Sequence, residues 1–572
     1  MGALQTANCS LLTQLSADNI IFRFKTGQDM NKPVMILTLL LSFATANAQM
    51  HPAYNIVPQP VSIVIGKSSE GFKLNGNTTI TVNAAFNKQA VYLQEQLTAQ
   101  IGFHVSLSSS STLNNTIHLA LSDTFSHPEM YRLQVDVKAV TISAKDVAGI
   151  VHGIQSFLQL LPIGNADNTV TVASCIITDF PRFSYRGMHL DVSRHLFPVS
   201  YIKKYIDYLT FHKFNNFHWH LTDDQGWRIE IKSYPKLTSV GAWRNATLIG
   251  YFFDTPIRYD STRYGGFYTQ EEVKEVIEYA TVRGINIIPE IDIPGHCRAV
   301  IASYPELSTT PDTTREVAVT WGMFNRQNNV LAPNEQTFRF LKTVFDEVAD
   351  LFPSAYIHLG GDECSKIWWK RSLATQTFIK AHQLKDETEL QTYFINQVTG
   401  YLRAKGKSVI GWDEILESDL DSSAIIMSWR GEKGGIKAAK QQHYTVMTPD
   451  YICYFNKYQT KDKSVDKLNI PGYIPLDLVY NYDPIPKEVA DAGLGKYILG
   501  AQANLWTEYI PDTNQLEYML FPRMTALSET LWTGNKKDFI DFKRRLKTTV
   551  IPRYNFWKSN YCKVYEDWTV SK

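Results

Sequence analysis

Tyr356-Ile357-His358-Leu359-Gly360-Gly361-Asp362-Glu363-Cys364 is a short apolar strand signal that runs into two glycines and then two adjacent acids. Along a regular strand, neighbouring side chains point to opposite faces. The two glycines accept backbone conformations that bulkier residues resist. Asp362 and Glu363 are therefore expected to leave the alternation and reach one cavity at the strand's end. Two carboxyls in one cavity divide labour: one stays ionised while the other keeps a proton to donate. An isolated Asp-Glu is more often a solvated turn, because charged residues are mostly exposed. The surrounding sequence decides against that reading here.

Working outward, strand signals alternate with helical ones over the residues after Phe180-Pro181. The strands read as Tyr185–Asp191, Asn216–Leu221, Ile285–Ile291, Tyr356–Gly360, Ser408–Trp412, Ala424–Trp429, His443–Thr448 and Tyr497–Trp506. Helical periodicity fills most of the gaps, as in Ser200–His212, Gln270–Arg283, Glu335–Leu351 and Glu387–Lys405. Eight such repeats predict an α/β fold, a (β/α)8 TIM-type barrel whose functional groups sit where strands end. The Leu516–Glu529 stretch reads helical and closes the barrel, and residues after about 537 read as a further helical packing segment. Upstream, residues 53–179 alternate apolar and polar in short runs, as half-buried strands require. Helical signals interrupt them at Lys88–Gly102 and Val147–Leu161. This predicts a small α+β domain over residues 49–180, before a catalytic barrel with its tail over 181–572.

The first 48 residues read differently. Met30-Asn31-Lys32-Pro33 leads into an apolar run from Val34 to Phe43, followed by the small residues Ala44-Thr45-Ala46-Asn47-Ala48. That is the pattern of a secretory signal over residues 30–48, cut after Ala48, with residues 1–29 an unexplained upstream extension. The apolar run is too short to span a bilayer, so stable membrane insertion is not expected. At 44% hydrophobic and 20% charged residues the chain is globular in composition. A formal net charge of +1 gives no electrostatic footprint for nucleic acid or an acidic membrane surface. Nothing in the residues marks an oligomeric state. The six cysteines match no zinc spacing. Cys297 and Cys364 each follow a candidate site motif, which leaves open whether they are bridged.

The other strand ends carry the candidate chemistry. The first gives Arg186-Gly187-Met188-His189-Leu190-Asp191-Val192-Ser193-Arg194-His195. Arg186 is either a structural ion-pair partner or a planar fork for two sugar hydroxyls. The second gives His218-Trp219-His220-Leu221-Thr222-Asp223-Asp224. His218, His220 and Asp223 form either a metal site or a hydrogen-bonded buttress. The third gives Pro289-Glu290-Ile291-Asp292-Ile293-Pro294-Gly295-His296, in which Asp292 and His296 are a proton-tuning pair or a structural contact. The fifth gives Gly411-Trp412-Asp413-Glu414, the sixth ends in Ser428-Trp429, and the seventh leads to Tyr454-Phe455-Asn456. The eighth ends Asn504-Leu505-Trp506-Thr507-Glu508. Tryptophan at three strand ends fits an indole-walled pocket with a few orienting polar groups.

Taken in order, His218 to Asp224, Asp292 to His296 and His358 to Glu363 resemble the signatures of the family 20 glycoside hydrolases, the β-N-acetylhexosaminidases. The resemblance covers nearly the whole chain after the leader. It implies a glycan substrate with a terminal non-reducing N-acetylhexosamine, no cofactor and no metal. It also implies a retaining mechanism in which the substrate's own 2-acetamido oxygen is the nucleophile, an exception to the two-carboxylate scheme. Under that resemblance Glu363 is the acid and base, and Asp362 steadies the acetamido N–H. Tyr454 binds the acetamido oxygen, and Trp412, Trp429 and Trp506 enclose the sugar. Arg186 and Glu508 grip ring hydroxyls. Asp223 and His296 stand at the pocket and, with Asp292, support the acid. Asp413 and Glu414 are expected to be structural or peripheral. Asn456 stands where the family often has Asp, which bears on the choice between gluco- and galacto-configured sugars. Two other readings remain at this stage: a non-catalytic sugar binder on the same scaffold, and a metal-dependent hydrolase built on His218, His220 and Asp223.

Overall fold

Eight parallel strands close a barrel: β1 (Tyr185–Asp191), β2 (Asn216–His220), β3 (Asn286–Glu290), β4 (Tyr356–His358), β5 (Ser408–Trp412), β6 (Ile425–Ser428), β7 (Thr445–Met447) and β8 (Ile498–Ala503). The computed structural model describes residues 51–66, 70–109, 114–164, 167–462, 465–534 and 537–565. The expected signal and extension lie outside these residues. Each strand falls within three residues of its sequence signal, β1 and β5 with no difference. The largest difference is at the end of β8, where the polar residues after Ala503 turn out of the ladder, and the glycines after His358 likewise end β4 early.

Alternation along the strands sets the layers. On β2, Phe217 and Trp219 pack outward into the main apolar core beneath the helices, whereas His218 and His220 point inward. A separate apolar cluster inside the barrel contains Tyr185, Ile288, Ile410, Trp412, Met427, Val446 and Trp506. Register aligns the inward polar groups: Asp191 pairs with His220, His220 with Glu290, and Glu290 with His358. The helices follow their sequence signals. Gln270–Val282 begins with a capping box in which Thr269 and Glu272 satisfy each other's backbone N–H groups. Glu335–Leu351 buries Phe340, Leu341, Val344, Phe345 and Val348 on one face, the spacing of an amphipathic helix. The predicted Leu516–Glu529 helix is two helices, Thr513–Leu520 and Arg523–Trp532. Pro522, which has no N–H to donate, separates them.

The N-terminal domain carries a seven-stranded sheet with helices Asn87–Ile101 and Val147–Gln159. It is fastened to the barrel by buried charge. Asp179 accepts from Lys213 Nζ at 2.9 Å and from Trp532 Nε1 at 2.9 Å, and Trp532 belongs to the domain's own core. No helix among the described residues is long and apolar enough to cross a membrane.

Candidate active site

The β4 turn brings the two acids together. Gly360 and Gly361 have φ of +66° and +96°, the left-handed region that favours glycine. A Cβ on Gly360 would stand 1.8 Å from Asp292 Oδ1, and one on Gly361 would stand 2.4 Å from the Ile415 side chain. The turn is held from three sides. Asp292 Oδ1 accepts from Gly361 N–H at 3.0 Å, Gln391 Nε2 donates to Gly361 O at 2.7 Å, and Trp412 N–H donates to Gly360 O at 2.9 Å. Glu363 itself sits at φ +42°. The outcome is that one nitrogen, His296 Nε2, lies 3.6 Å from Asp362 Oδ2 and 3.7 Å from Glu363 Oε2.

The two carboxyls differ in setting. The Asp362 side chain is 13% exposed, and its Oδ1 is buried with no hydrogen-bond partner among the described residues. The Glu363 side chain is 45% exposed and so faces the open mouth. Partial desolvation by the pocket walls lifts the Glu363 carboxyl above the usual range; His296 opposes the lift and Asp362 adds to it. A carboxyl held up in this way keeps its proton longer, as a general acid must.

Behind the acids runs a chain of alternating charge. His296 Nδ1 lies 3.1 Å from Asp223 Oδ1 and 3.2 Å from Asp224 Oδ2. Burial alone would drive the His296 imidazole down, but Asp223 and Asp362 outweigh it and lift it well above its ordinary value. Asp223 Oδ2 also meets His220 Nε2 at 2.9 Å and Arg194 Nη2 at 2.8 Å. Asp223 is therefore buried behind Arg194 and His296 and acts on the pocket through them. Asp292 holds the glycine turn, and burial together with Asp362 pushes its carboxyl well up.

Aromatic rings form the opposite wall. Trp412 and Trp506 stand 5.9 Å apart, Tyr454 and Trp506 6.4 Å, and Trp429 stacks on Tyr454 at 6.0 Å. Burial, then the charge of Asp362, holds the Tyr454 hydroxyl well above the usual phenol range, so it remains a donor beside that acid. Asn456 is buried, with an Oδ1 that no described residue satisfies. Glu414 is not peripheral: its Oε2 accepts from Trp429 Nε1 at 2.8 Å, and burial and Asp362 raise its carboxyl well above the usual range. Asp413 accepts instead from Arg430 Nε at 3.0 Å.

One expectation is corrected. Arg186 lies at the N-terminal end of β1, away from the acids. Its guanidinium is 1% exposed; it ion-pairs with Glu129 of the N-terminal domain and donates to Lys213 O and Phe183 O, both at 2.8 Å. The guanidinium at the mouth belongs to Arg194, three residues beyond the end of β1. It contacts Asp191 at 3.2 Å, Gln225 at 2.7 Å and Asp223 at 2.8 Å, beside Glu508. Burial pushes the Glu508 carboxyl up to about 7 against the pull of Arg194, and its Oε2 has no partner among the described residues. The signal in the sequence was position: a side chain past a strand's C-terminal end faces the mouth, and one at its start cannot. Cys297 and Cys364, whose pairing the sequence leaves open, are both buried free thiols; Cys297 Sγ points to the Asp292 carbonyl at 3.4 Å.

This contrast gives a test. Arg186→Ala should destabilise the fold by up to about 3–5 kcal/mol, because it removes the guanidinium partner of Glu129, which keeps only His152 and Asn215, and should leave KM unchanged in the folded fraction. Arg194→Ala should raise KM. Thermal melts and Michaelis kinetics on both variants separate the two roles.

Among the described residues two groups have metal-ligand proximity, His189/His218/Glu290 and Asp223/Asp292/His296, each with ligand atoms within 4.8 Å. Within them His218 Nε2 lies 3.0 Å from Glu290 Oε2 and His296 Nδ1 lies 3.1 Å from Asp223 Oδ1, while His189 Nε2 and Asp292 Oδ2 have no hydrogen-bond partner among the described residues. In the alternative set of His218, His220 and Asp223, both His220 nitrogens face carboxylates. Burial would lower that imidazole, but Glu290 and Asp223 raise it to about 10. An imidazolium has no lone pair for a metal.

Paired carboxyls at the C-terminal mouth of a (β/α)8 barrel, faced by three indoles, define the class of a barrel glycoside hydrolase. The pattern of Glycosyl hydrolase family 20, catalytic domain, matches residues 183–535, and that of family 20, domain 2, matches residues 53–180. The chain belongs to glycosyl hydrolase family 20. It is 41% identical to a beta-hexosaminidase of Porphyromonas gingivalis over 90% of this chain, and 40% identical to one of Vibrio furnissii over 70%. It spans 66% and 64% of those two relatives' lengths. Among solved structures, the GH20 exo beta-N-acetylglucosaminidase of Vibrio harveyi in complex with N-acetylglucosamine superposes with a TM-score of 0.79 at 34% identity, covering 91% of this chain and 79% of that one.

Proposed function

We propose that the chain is an exo-acting β-N-acetylhexosaminidase that removes terminal non-reducing GlcNAc or GalNAc by a retaining, substrate-assisted route. The observation that carries this reading is the shared placement of Asp362 and Glu363 against His296, across from the Trp412, Trp429, Tyr454 and Trp506 wall. Glu363 gives its proton to the glycosidic oxygen as the C1–O bond breaks. The acetamido oxygen forms the new bond to C1, which makes a cyclic oxazolinium ion. Asp362 accepts the acetamido N–H and stabilises the positive charge that develops there, a preorganised electrostatic role. Tyr454 donates to the acetamido oxygen and the indoles shut out water. Water then attacks C1, Glu363 takes its proton, and the acetamide is restored with β configuration retained. Arg194 and Glu508 meet the ring hydroxyls, and Asn456 contacts the outer edge of the ring. The leader pattern over residues 30–48 supports export to the periplasm or the medium.

A panel of chromogenic β-glycosides of GlcNAc, GalNAc and glucose, with and without a chelator, tests the reading. Turnover of the two N-acetyl sugars, none of the glucoside, and indifference to chelator are expected. Loss of activity with the chelator would move the chemistry to a metal. A thiazoline analogue of the cyclic intermediate should inhibit competitively; indifference to it would remove the participating acetamide.

A further inference from the structure

Glu290, the last residue of β3, has no part in the reaction as written, yet it sits among four polar side chains of the barrel interior. Its Oε2 meets His220 Nδ1 at 2.5 Å and His218 Nε2 at 3.0 Å, while its Oε1 accepts from Trp412 Nε1 at 2.9 Å and lies 3.0 Å from His358 Nδ1. It is wholly buried. Register accounts for this, since Glu290 is the Cα partner of His220 on one side and of His358 on the other. We propose that Glu290 is a positioning residue for the proton of Glu363: one oxygen fixes the His220 ring, and through it Asp223 and His296, while the other anchors the Trp412 wall of the acetamido pocket. The inference rests on the reading of Glu363 as the acid.

The physical basis is that a buried carboxylate without donors is costly, and buried polar networks hold only when every member is satisfied. Glu290 meets His220 on β2 and accepts from Trp412 on β5, and it lies against His358 on β4, whose Nδ1 itself accepts from Gly360 N–H, so it holds these strand ends to each other. The order Glu290, His220, Asp223, His296 then alternates anion, cation, anion, cation up to the acids. The charged and titratable groups around His220 are Glu290 from β3, Asp223 and Arg194 from the loops after β2 and β1, Asp191 and His189 from β1, His218 on its own strand and His358 from β4. Trp506 from β8 packs edge-on against its ring. Only Glu290 and Asp223 bring negative charge directly to the ring nitrogens.

Glu290→Gln keeps the shape and removes the anion. His220 then loses its charge, and a cation is lost from the side of Asp223 opposite His296. The lost anion lies one group further away, so the surroundings of Glu363 become more negative and its carboxyl rises. The basic limb of kcat/KM, which reports an acid that must be protonated, should move to higher pH. The accompanying loss of activity should fall on kcat more than on KM. His220→Gln should reproduce the shifted limb. Trp412→Phe should raise KM without moving it.

The experiment is a pH profile of kcat/KM on chromogenic GlcNAc for the full-length wild type and these three variants, with circular dichroism as the folding check. A Glu290→Gln profile that superimposes on the wild type overturns the proposal, whatever its amplitude. Should that variant not fold, an unmoved basic limb in His220→Gln overturns it instead. Failure of the acid assignment would show separately, as Glu363→Gln retaining wild-type turnover of a natural glycoside.

Discussion

Glu363→Gln lowers kcat/KM on a natural N-acetylhexosaminide by roughly 10²–10⁴-fold, the usual worth of a positioned general acid and base. The variant keeps the turn, because Gln fills the same volume and the φ of +42° belongs to the backbone. The loss depends on the leaving group. An alkoxide of another sugar needs the proton as the bond breaks, whereas a nitrophenolate leaves with little help, so the first step survives on an aryl glycoside. The comparison of a natural disaccharide with a nitrophenyl glycoside checks this. Equal losses on both, or none on either, would remove Glu363 from the role.

Asp362→Asn should cost roughly 10²–10³-fold in kcat, the range for removing one preorganised group aimed at developing charge. Asn cannot hold an anion against a forming oxazolinium, and its amide can present N–H to N–H. The loss should fall on kcat with little change in KM, since the charge exists only as the reaction proceeds. The partnerless, buried Oδ1 of Asp362 is consistent with an acceptor awaiting a substrate N–H. Steady-state kinetics with tight-binding tests of the thiazoline decide it. An Asn variant that keeps both wild-type kcat and thiazoline affinity contradicts the role.

Much of this was legible before any coordinates. The period-2 and period-3.6 patterns located all eight strands and the long helices, because a barrel strand must be apolar enough to face a helix layer. The Gly360-Gly361 pair announced the acid turn, since no other residue tolerates Asp292 at that distance. Arg186 and Arg194 were harder to separate. Both lie in one stretch, and the choice depends on which end of β1 each occupies, which residue type does not reveal. Glu290 was quoted but unassigned for a similar reason. Its partners His220, His358 and Trp412 lie 70, 68 and 122 residues away and meet only through strand register. Whether Glu414 was structural or peripheral stayed open likewise, because its bond to Trp429 crosses between strand ends.

The central claim is that the nucleophile belongs to the sugar. Stepwise fluorination of the 2-acetamido methyl on one aryl glycoside series tests it most directly, because each fluorine weakens the carbonyl oxygen as a nucleophile and changes little else. The account predicts a steep fall in kcat/KM from acetyl to trifluoroacetyl. A flat series would mean that a protein carboxylate attacks C1, and would contradict it.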